Sequence, residues 1–550
     1  MVYQHLELWR PMKFKSLLLI IILASLLRIW NLNNFPVGFN ADEAAIGYNA
    51  YSLLQTGKDE YGSSFPLTFK SFGDYKPGLY FYFVLPFVAT LGLNEWAVRL
   101  PSALLGIGTV ILIFFLGKKL FNVKVGLLSS LLLAISPWHI HFSRGGWETN
   151  AATFFITLGV YLYIKGLKNY QMLFYSFVSF LVSMYIYQSP RLVVPILLLT
   201  FIVLSKSEFA LLLSVKKIKK YSILIILLLV LTIPLAYQLI SGQGSARFNG
   251  LSFLSDTGPT SRVNNLRGEH DNPGNSSAKI LHNKLTAYGP EFLGHYLDHF
   301  KPDFLFITGD PLIRNKVPEV GQFYLIEALL LLFGLIYLCK NRFEYIKLII
   351  AWVFIAPIAS AMTYQTPHAL RALNLVIPLT LIMALGLSVF FSKFNKFKII
   401  TTVILIIVFS FEFTHYIESY YVHYPKRYPL AWEYGFKEMV NKVSLYESKY
   451  DKVVITDRYD QPYILVLFYK KFDPKKYQPQ AQLTERDKFN FGTIREFDKF
   501  QFRAIDPAEI DKSPKTLFVA TTQEVPKDAN ILDMIRFPNN EPAFIFVEAK

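Results

Sequence analysis

The stretch FKSLLLIIILASLLRIW, residues 14–30, is an apolar run long enough to cross the hydrocarbon core of a membrane. Arg10, Lys13 and Lys15 cluster at its N-terminal end, and no small-residue cleavage site follows it. These features predict a retained signal-anchor helix with its N-terminus in the cytoplasm. Shortly after the run comes FNADEAAIGYNAYSLLQTG, residues 39–57, which carries two adjacent carboxylates.

The composition indicates a polytopic membrane protein. Hydrophobic residues make up 53% of the 550 and charged residues only 17%, which is outside the usual range of soluble chains. Apolar runs recur as far as residue 417, so we expect an all-α membrane domain over residues 1–417. Residues 418–550 are more polar and contain β-rich stretches between helical ones, which predicts a small soluble α/β domain.

The formal charge of +16 is explained by the side of the membrane on which the cations lie, without a nucleic-acid partner. Lysine and arginine cluster in alternate loops, as the positive-inside rule requires of cytoplasmic loops. The single cysteine, Cys339, excludes intramolecular disulfides and CxxC sites. The basic loops are residues 117–124, 165–169, 216–220, 339–347 and 392–398.

The same charge pattern fixes the predicted topology. If residues 77–93 crossed the membrane, the basic loops would fall on the wrong side, so we interpret them as an interfacial or re-entrant helix. About eleven crossings then remain and the C-terminal domain is extracytoplasmic. Besides residues 14–30, the predicted spans lie near 95–116, 126–142, 150–164, 171–187, 191–205, 221–240, 322–338, 346–363, 370–391 and 399–417; the outer segments are 31–94, 241–321 and 418–550.

The adjacent carboxylates, Asp42 and Glu43, lie in the first outer loop at the start of a predicted surface helix. Asn40 is a suitable N-cap and Glu43 follows three residues later, which predicts a capping box with Asp42 stabilised by the helix dipole. A purely structural role as a cap is one interpretation. Catalysis is the other, because an acid at a helix start projects toward whatever the loop faces.

A second polar cluster, PWHIHFSRGGWETN, occupies residues 137–150 and includes Arg144 and Glu148. Polar groups near membrane depth are costly unless they line a cavity or pair with one another. His139 and His141 are present too, but no further ligand follows at a metal-like spacing, so a zinc site is not predicted.

A third cluster, FKSFGDYKPGLYFY, residues 69–82, places Lys76 directly before Pro77. Proline is favoured at the start of a helix, which predicts that the lysine lies just ahead of free helix amides, a suitable place for an anionic phosphate. The alternative is an ordinary lysine that extends along the interface to water.

A fourth cluster, TYQTPHALRALN, residues 363–374, opens the tenth predicted span. His368 and Arg371 are three residues apart, so on a helix they would share one face and could address one group. The alternative for Arg371 is a membrane anchor. All four clusters are expected on the same, outer side.

The first-loop acids, the GDYKP lysine, NEWAVRLPSALLG from residue 94, SRGGWE from residue 143 and PHALRAL from residue 367 together resemble membrane glycosyltransferases of the GT-C fold. The resemblance is to relatives of protein O-mannosyltransferases and of the aminoarabinose transferases that modify lipid A. It covers residue 14 to about residue 204, is weaker over the later spans and is absent from the C-terminal domain. It implies about eleven spans, a polyprenyl-phosphate-sugar donor and transfer on the extracytoplasmic face to a protein, lipid or glycan hydroxyl.

Position by position, the resemblance implies that Asp42 is the general base, that Glu43 orients the acceptor, and that Glu148 positions the acceptor or tunes Asp42. Lys76 matches the family's phosphate-contacting lysine. Arg144, His368 and Arg371 are further candidates for binding the donor phosphate. We expect inversion at the anomeric carbon, since retention would need a nucleophilic carboxylate and a second step.

No cofactor is expected, although Asp42, Glu43 and Glu148 could form an oxygen site for Mg²⁺ or Mn²⁺. The polar stretch at residues 242–285 could be a lid over the donor or a variable connector.

Two other classes of protein remain as alternatives to a glycosyltransferase of this kind. A transporter or flippase of lipid-linked sugars would also hold charges in the membrane, but usually near its midplane. An O-antigen-type ligase would use a diphosphate-linked glycan.

Overall fold

The computed structural model describes residues 4–210, 215–241, 252–270, 274–487 and 491–550. Within the predicted outer loop 241–321, residues 242–251 and 271–273 lie outside the described residues, so the lid hypothesis is untested there. The described residues are mostly helical and include a small sheet near the C-terminus. The predicted fold class, a helical membrane protein with a small α/β part, is confirmed at this level.

The first half of the chain consists of helices joined by short connections, with one β-hairpin in the first loop. The hairpin strands are β1 (Thr68–Ser71) and β2 (Asp74–Pro77). The helices are α1 (Gln4–Ile29), α2 (Ala41–Thr56), α3 (Leu79–Leu91), α4 (Glu95–Leu120), α5 (Val123–Ile135), α6 (Pro137–Arg144), α7 (Glu148–Gly166), α8 (Tyr170–Ile186), α9 (Pro190–Leu204), α10 (Lys206–Ala210) and α11 (Val215–Ile240).

The second half continues the helical pattern as far as the C-terminal sheet. Its helices are α12 (Gly258–Gly268), α13 (Ser276–Leu281), α14 (Lys284–Asp298), α15 (Leu325–Lys340), α16 (Ile346–Ile355), α17 (Ile358–Ala361), α18 (Val376–Lys393), α19 (Lys398–Glu418), α20 (Tyr424–Arg427), α21 (Phe436–Tyr446), α22 (Pro462–Lys470) and α23 (Pro474–Tyr477).

Within the described ranges, four helical segments are long and apolar enough to cross a membrane: Glu95–Leu120, Tyr221–Ile240, Leu373–Lys393 and Lys398–Arg427. A fifth results if α5 and α6 are taken as one bent span. Shorter apolar helices occur at Leu79–Leu91, Tyr170–Ile186, Pro190–Leu204 and Ile346–Ala361. The multi-pass character is therefore supported, whereas the count of eleven stays a prediction. Helix α3 has 13 residues and extends about 20 Å, too short for the roughly 30 Å core.

Two predicted spans are broken where proline interrupts the helix. The span predicted near residues 126–142 is divided between α5 and α6, which are bent by 58° around Ser136. The span predicted near residues 346–363 is divided between α16 and α17 at Pro357. Proline has no N–H and its ring clashes with the preceding turn, which accounts for both breaks.

The chain folds as two compact units. One comprises Met1–Ala24, Gly108–His139 and Ala152–Phe413, and the other Ser25–Ile107, Ile140–Ala151 and Thr414–Lys550. In the first unit, α15 and α18 approach closely at two glycines: a Cβ on Gly386 would lie 1.9 Å from the Leu330 carbonyl oxygen. The second unit joins the first loop to the C-terminal residues.

The C-terminal residues form a six-stranded mixed sheet of β3 (Lys452–Ile455), β4 (Glu496–Phe497), β5 (Phe500–Phe502), β6 (Thr516–Ala520), β7 (Asn530–Arg536) and β8 (Pro542–Glu548). The strand order is β4-β5-β3-β6-β8-β7. Strands β5, β3 and β6 are parallel, and the other pairings are antiparallel. The predicted strands near residues 451–457, 515–521 and 543–549 are β3, β6 and β8.

Candidate active site

The predicted capping box at the start of α2 is present. Asn40 Oδ1 accepts the Glu43 backbone N–H at 3.0 Å, and Glu43 Oε2 accepts the Asn40 backbone N–H at 3.3 Å. This reciprocal bonding satisfies two amide donors at the helix start. It also fixes the first turn of α2, from which Asp42 projects.

Glu43 forms a fully buried ion pair with Arg99 of α4. Arg99 Nε lies 2.8 Å from Glu43 Oε1 and Arg99 Nη2 lies 3.0 Å from Oε2, a two-pronged arrangement. The Gly146 backbone N–H also donates to Oε1 at 2.8 Å. Both side chains have 0% of their surface exposed, so the pair is sheltered from solvent and each charge depends on the other.

The remaining donors of Arg99 hold the segment that links α1 to α2. Nη1 donates to the carbonyl oxygens of Leu32 at 3.0 Å and Pro36 at 3.2 Å, and Nη2 donates to that of Gly38 at 2.6 Å. The planar guanidinium, with five N–H groups, can bind a carboxylate and several carbonyls at once. Arg99 was not predicted as a site residue, although it lies in the NEWAVRLPSALLG segment.

Asp42, next to this buried pair, lies at the surface and binds Lys76. Lys76 Nζ donates to Asp42 Oδ1; 35% of the Asp42 side chain is exposed but only 7% of the Lys76 side chain. Consecutive helix residues point about 100° apart, so Glu43 can face inward while Asp42 faces outward. The structure thus brings together the two residues predicted as general base and phosphate ligand.

The local structure around Lys76 differs from the prediction. Lys76 lies in β2, opposite Phe69 of β1, and the helix begins at Leu79 instead of Pro77. Pairing with β1 requires an extended backbone, and a residue before proline already favours that conformation. Lys76 is therefore presented by a hairpin.

Arg144 and Glu148 lie in the same unit as Asp42. Arg144 is buried and donates to the carbonyl oxygens of Leu27 at 2.9 Å, Trp30 at 2.9 Å and Phe35 at 3.1 Å, where α1 ends. These contacts satisfy carbonyls that a helix end leaves unpaired. Glu148 begins α7 and is 9% exposed.

His368 and Arg371 belong to the other unit, and the helix predicted to carry both is absent: residues 364–372 form bends and turns. The buried Asp310 Oδ2 accepts the Ala369 backbone N–H at 2.6 Å, and His299 Nε2 accepts that of His368 at 3.2 Å. Both amides are thus bound by side chains that lie far away in the chain. The prediction of a shared helix face was wrong, because residues 364–372 do not form a helix.

Asp310 and His299 were not singled out from the sequence. Burial raises the pKa of Asp310 to about 6 and lowers the pKa of His299 to about 4, because burial disfavours the charged form of each group. Arg371 Nη1 donates to Thr363 Oγ1 at 2.7 Å. Among the described residues, no group of three His, Cys, Asp or Glu side chains is placed to hold a metal ion.

Comparison with known proteins supports the predicted resemblance. Residues 75–237 match the family model described as dolichyl-phosphate-mannose-protein mannosyltransferase. The chain is 24% identical over 176 residues to the "Putative mannosyltransferase YycA" of Bacillus subtilis, covering 31% of this chain and 25% of YycA. The chain thus spans about a quarter of that relative.

Solved structures show the same fold over nearly the whole chain. ArnT from Cupriavidus metallidurans, bound to undecaprenyl phosphate, superposes with a TM-score of 0.54 and 10% identity, covering 98% of this chain and 97% of ArnT. An oligosaccharyltransferase of Archaeoglobus fulgidus, in complex with Zn and sulfate, gives a TM-score of 0.51 at 13% identity, covering 82% and 61%. The chain is a multi-pass membrane protein of the GT-C fold. More particularly, its resemblance to protein mannosyltransferases and ArnT-like glycosyltransferases is confirmed.

Replacing Arg99 by Ala should strongly lower the stability of the second unit against thermal unfolding. Glu43 would remain buried without its cation, which costs about 3–5 kcal/mol in comparable cases. Thermal unfolding of the purified protein measures the loss. Arg495→Ala is the matched control, because Arg495 pairs with Asp457 of the same unit at positions that are 53% and 29% exposed and should cost under about 1 kcal/mol. Equal melting temperatures for the two variants would contradict the assigned role of Arg99.

Glu60 is fully buried in the first loop, and its carboxyl group should make the free energy of unfolding fall as the pH rises from about 5 to about 8. Burial, assisted by the charge of Asp59, raises its pKa from 4.5 to about 8. Between these values the unfolded chain releases the proton and the folded chain retains it, so stability decreases with pH. Glu60→Gln should therefore raise the melting temperature, and increasingly so from pH 5 to pH 8, while the exposed Glu496→Gln should not. A pH-independent difference for Glu60→Gln would refute this.

Proposed function

We propose that the protein transfers a sugar from a polyprenyl-phosphate donor to a hydroxyl group of a protein, lipid or glycan on the extracytoplasmic face of the cell membrane. The observation that carries the proposal is the Asp42–Lys76 pair, in which a partly exposed carboxylate contacts a nearly buried ammonium group. A carboxylate suits proton removal and an ammonium group suits a phosphate. The GT-C fold and the mannosyltransferase match support this assignment.

The reaction is a single displacement at the anomeric carbon. The acceptor oxygen forms a bond to that carbon while the bond to the phosphate oxygen breaks, and the configuration inverts. Asp42 takes the acceptor proton, which can contribute roughly 10²–10⁴-fold to the rate. Lys76 neutralises the charge that develops on the departing lipid phosphate, and does so most effectively where water is excluded.

The ion pair links donor binding to activation of the base. Asp42 Oδ1 accepts a hydrogen bond from Lys76. An arriving phosphate is a second anion that competes for the same ammonium group. Donor binding therefore weakens the hydrogen bond from Lys76 to Asp42, and the freed carboxylate turns toward the acceptor proton.

The other predicted site residues receive supporting roles. We assign Glu43 to positioning Asp42 instead of the predicted orientation of the acceptor, because its oxygens already accept hydrogen bonds from Arg99, Gly146 and Asn40. Glu148 remains our proposal for contact with the acceptor. Arg144, His368 and Arg371 remain weaker proposals for the donor phosphate.

No metal ion is required in this proposal. Asp42 pairs with Lys76 and Glu43 pairs with Arg99. The negative charge of each carboxylate, which would attract a divalent ion, is therefore already balanced by a side-chain cation.

Addition of EDTA should leave the rate of transfer unchanged. Loss of activity in EDTA that Mg²⁺ or Mn²⁺ restores would contradict this part of the mechanism.

The test is transfer from a panel of radiolabelled polyprenyl-phosphate sugars to total cell-envelope acceptors, with wild type and Asp42→Asn. Wild type should transfer from at least one donor, and the isosteric variant should lose at least about 100-fold in rate, the lower part of the range for a general base. Asp42→Asn must be as thermally stable as wild type for the comparison to count. Equal transfer by the two proteins would exclude Asp42 as the base.

A further inference from the structure

The hairpin that presents Lys76 has a strained two-residue turn. Ser71 of β1 pairs with Asp74 of β2, which leaves Phe72 and Gly73 as the turn. Their φ angles are +53° and +80°, as in the type I′ turns that connect twisted antiparallel strands. Positive φ is unfavourable for a bulky residue such as phenylalanine, so contacts beyond the hairpin have to stabilise this turn.

Residues of the C-terminal part of the chain supply those contacts. The Gly492 backbone N–H donates to the Phe72 carbonyl oxygen at 2.9 Å. Arg486 Nε donates to the Gly73 carbonyl oxygen at 3.0 Å, and its Nη2 donates to the same oxygen. Both carbonyls of the turn are therefore held by residues more than 400 positions away in the chain.

The residues that hold the turn are themselves fixed. The Gly492 carbonyl oxygen accepts a hydrogen bond from Gln461 Nε2 at 3.2 Å, at the start of α22. A Cβ at Gly492 would lie 2.8 Å from the Thr484 carbonyl oxygen and one at Gly73 would lie 3.1 Å from the Gly492 nitrogen. The backbone of the hairpin turn at Gly73 and that of the C-terminal segment at Gly492 thus lie close together, which the absence of a Cβ at both positions permits.

An aromatic contact extends from the C-terminal part to the lysine. The Phe72 ring packs edge-on against Tyr463 of α22, with centroids 6.1 Å apart. Lys76 Nζ lies 5.4 Å from the centroid of the same Phe72 ring, within the range of a cation–π interaction. Tyr463 Oη also lies 3.3 Å from Tyr61 Oη of the first loop.

We propose that the C-terminal part of the chain positions the donor-binding lysine: Arg486 and Gly492 fix the hairpin turn, and Phe72, packed on Tyr463, fixes the Lys76 ammonium group. This inference rests on the proposed function and deepens it. Arg486 and Phe72 act as positioning residues for the phosphate of the lipid donor, without a role in acceptor binding. The sheet domain is then part of the donor site.

The inference predicts a selective effect on the donor. Loss of the Arg486 hydrogen bonds to Gly73 loosens the hairpin, so Lys76 spends less time where the phosphate needs it. Arg486→Ala should raise the KM for the lipid donor and weaken binding of undecaprenyl phosphate about three- to tenfold, the effect of one net hydrogen bond. The KM for the acceptor should not change. Arg486→Lys, which retains one donor group, should recover much of the affinity.

The experiment uses the full chain in detergent, with hydrogen–deuterium exchange and binding of undecaprenyl phosphate as readouts. Arg486→Ala should speed amide exchange over residues 68–76 and weaken binding, and Phe72→Leu should weaken binding by removing the cation–π contact. Arg503→Ala is the matched control, since Arg503 pairs with Glu509 in the same domain and should change neither readout.

The outcomes separate this inference from the proposed function. If wild type binds undecaprenyl phosphate and Arg486→Ala binds it equally well, the positioning role is wrong and the proposed function stands. If wild type binds no lipid phosphate while Arg486→Ala still speeds hairpin exchange, the proposed function fails and the contact is only a structural clamp, which also overturns the inference.

Discussion

The buried ion pair between Arg99 and Glu43 is the interaction on which the candidate site depends. Arg99 binds Glu43 at the start of α2 and carbonyl oxygens of the segment after α1, and the Gly146 backbone N–H donates to the same Glu43 carboxylate. Arg99 and Glu43 meet inside the protein, so removal of either one leaves an uncompensated charge there. Because the pair fixes the first turn of α2, the neighbouring Asp42 is held at the surface without being buried itself.

Some of this arrangement could be predicted from the sequence, because its causes are local. The capping box of Asn40 and Glu43 spans three residues, and the apolar runs reveal the membrane helices by composition. Arg99 could not be found in this way, since the groups it binds, in residues 32–43, lie 56 or more positions earlier in the chain. The contact of Asp310 with the Ala369 amide, 59 positions away in the chain, could not be found in this way either. Long-range acceptors are invisible to local patterns.

The hairpin shows the same limit for Lys76. Its turn, Phe72–Gly73, lacks the asparagine or aspartate that usually marks a type I′ turn, so the strands were not predicted and Lys76 was placed at a helix start instead. What stabilises the turn is contact with Arg486 and Gly492. The C-terminal residues, which lie outside the family match at residues 75–237, therefore contribute to the geometry around Lys76, which lies inside it.

A structure of the protein with undecaprenyl phosphate bound would show directly which groups receive the donor. We expect a phosphate oxygen about 3 Å from Lys76 Nζ, with the Asp42 carboxylate turned away from the lysine toward an open acceptor side. A phosphate bound elsewhere, with the Asp42–Lys76 pair unchanged, would contradict the central claim that this pair receives the donor.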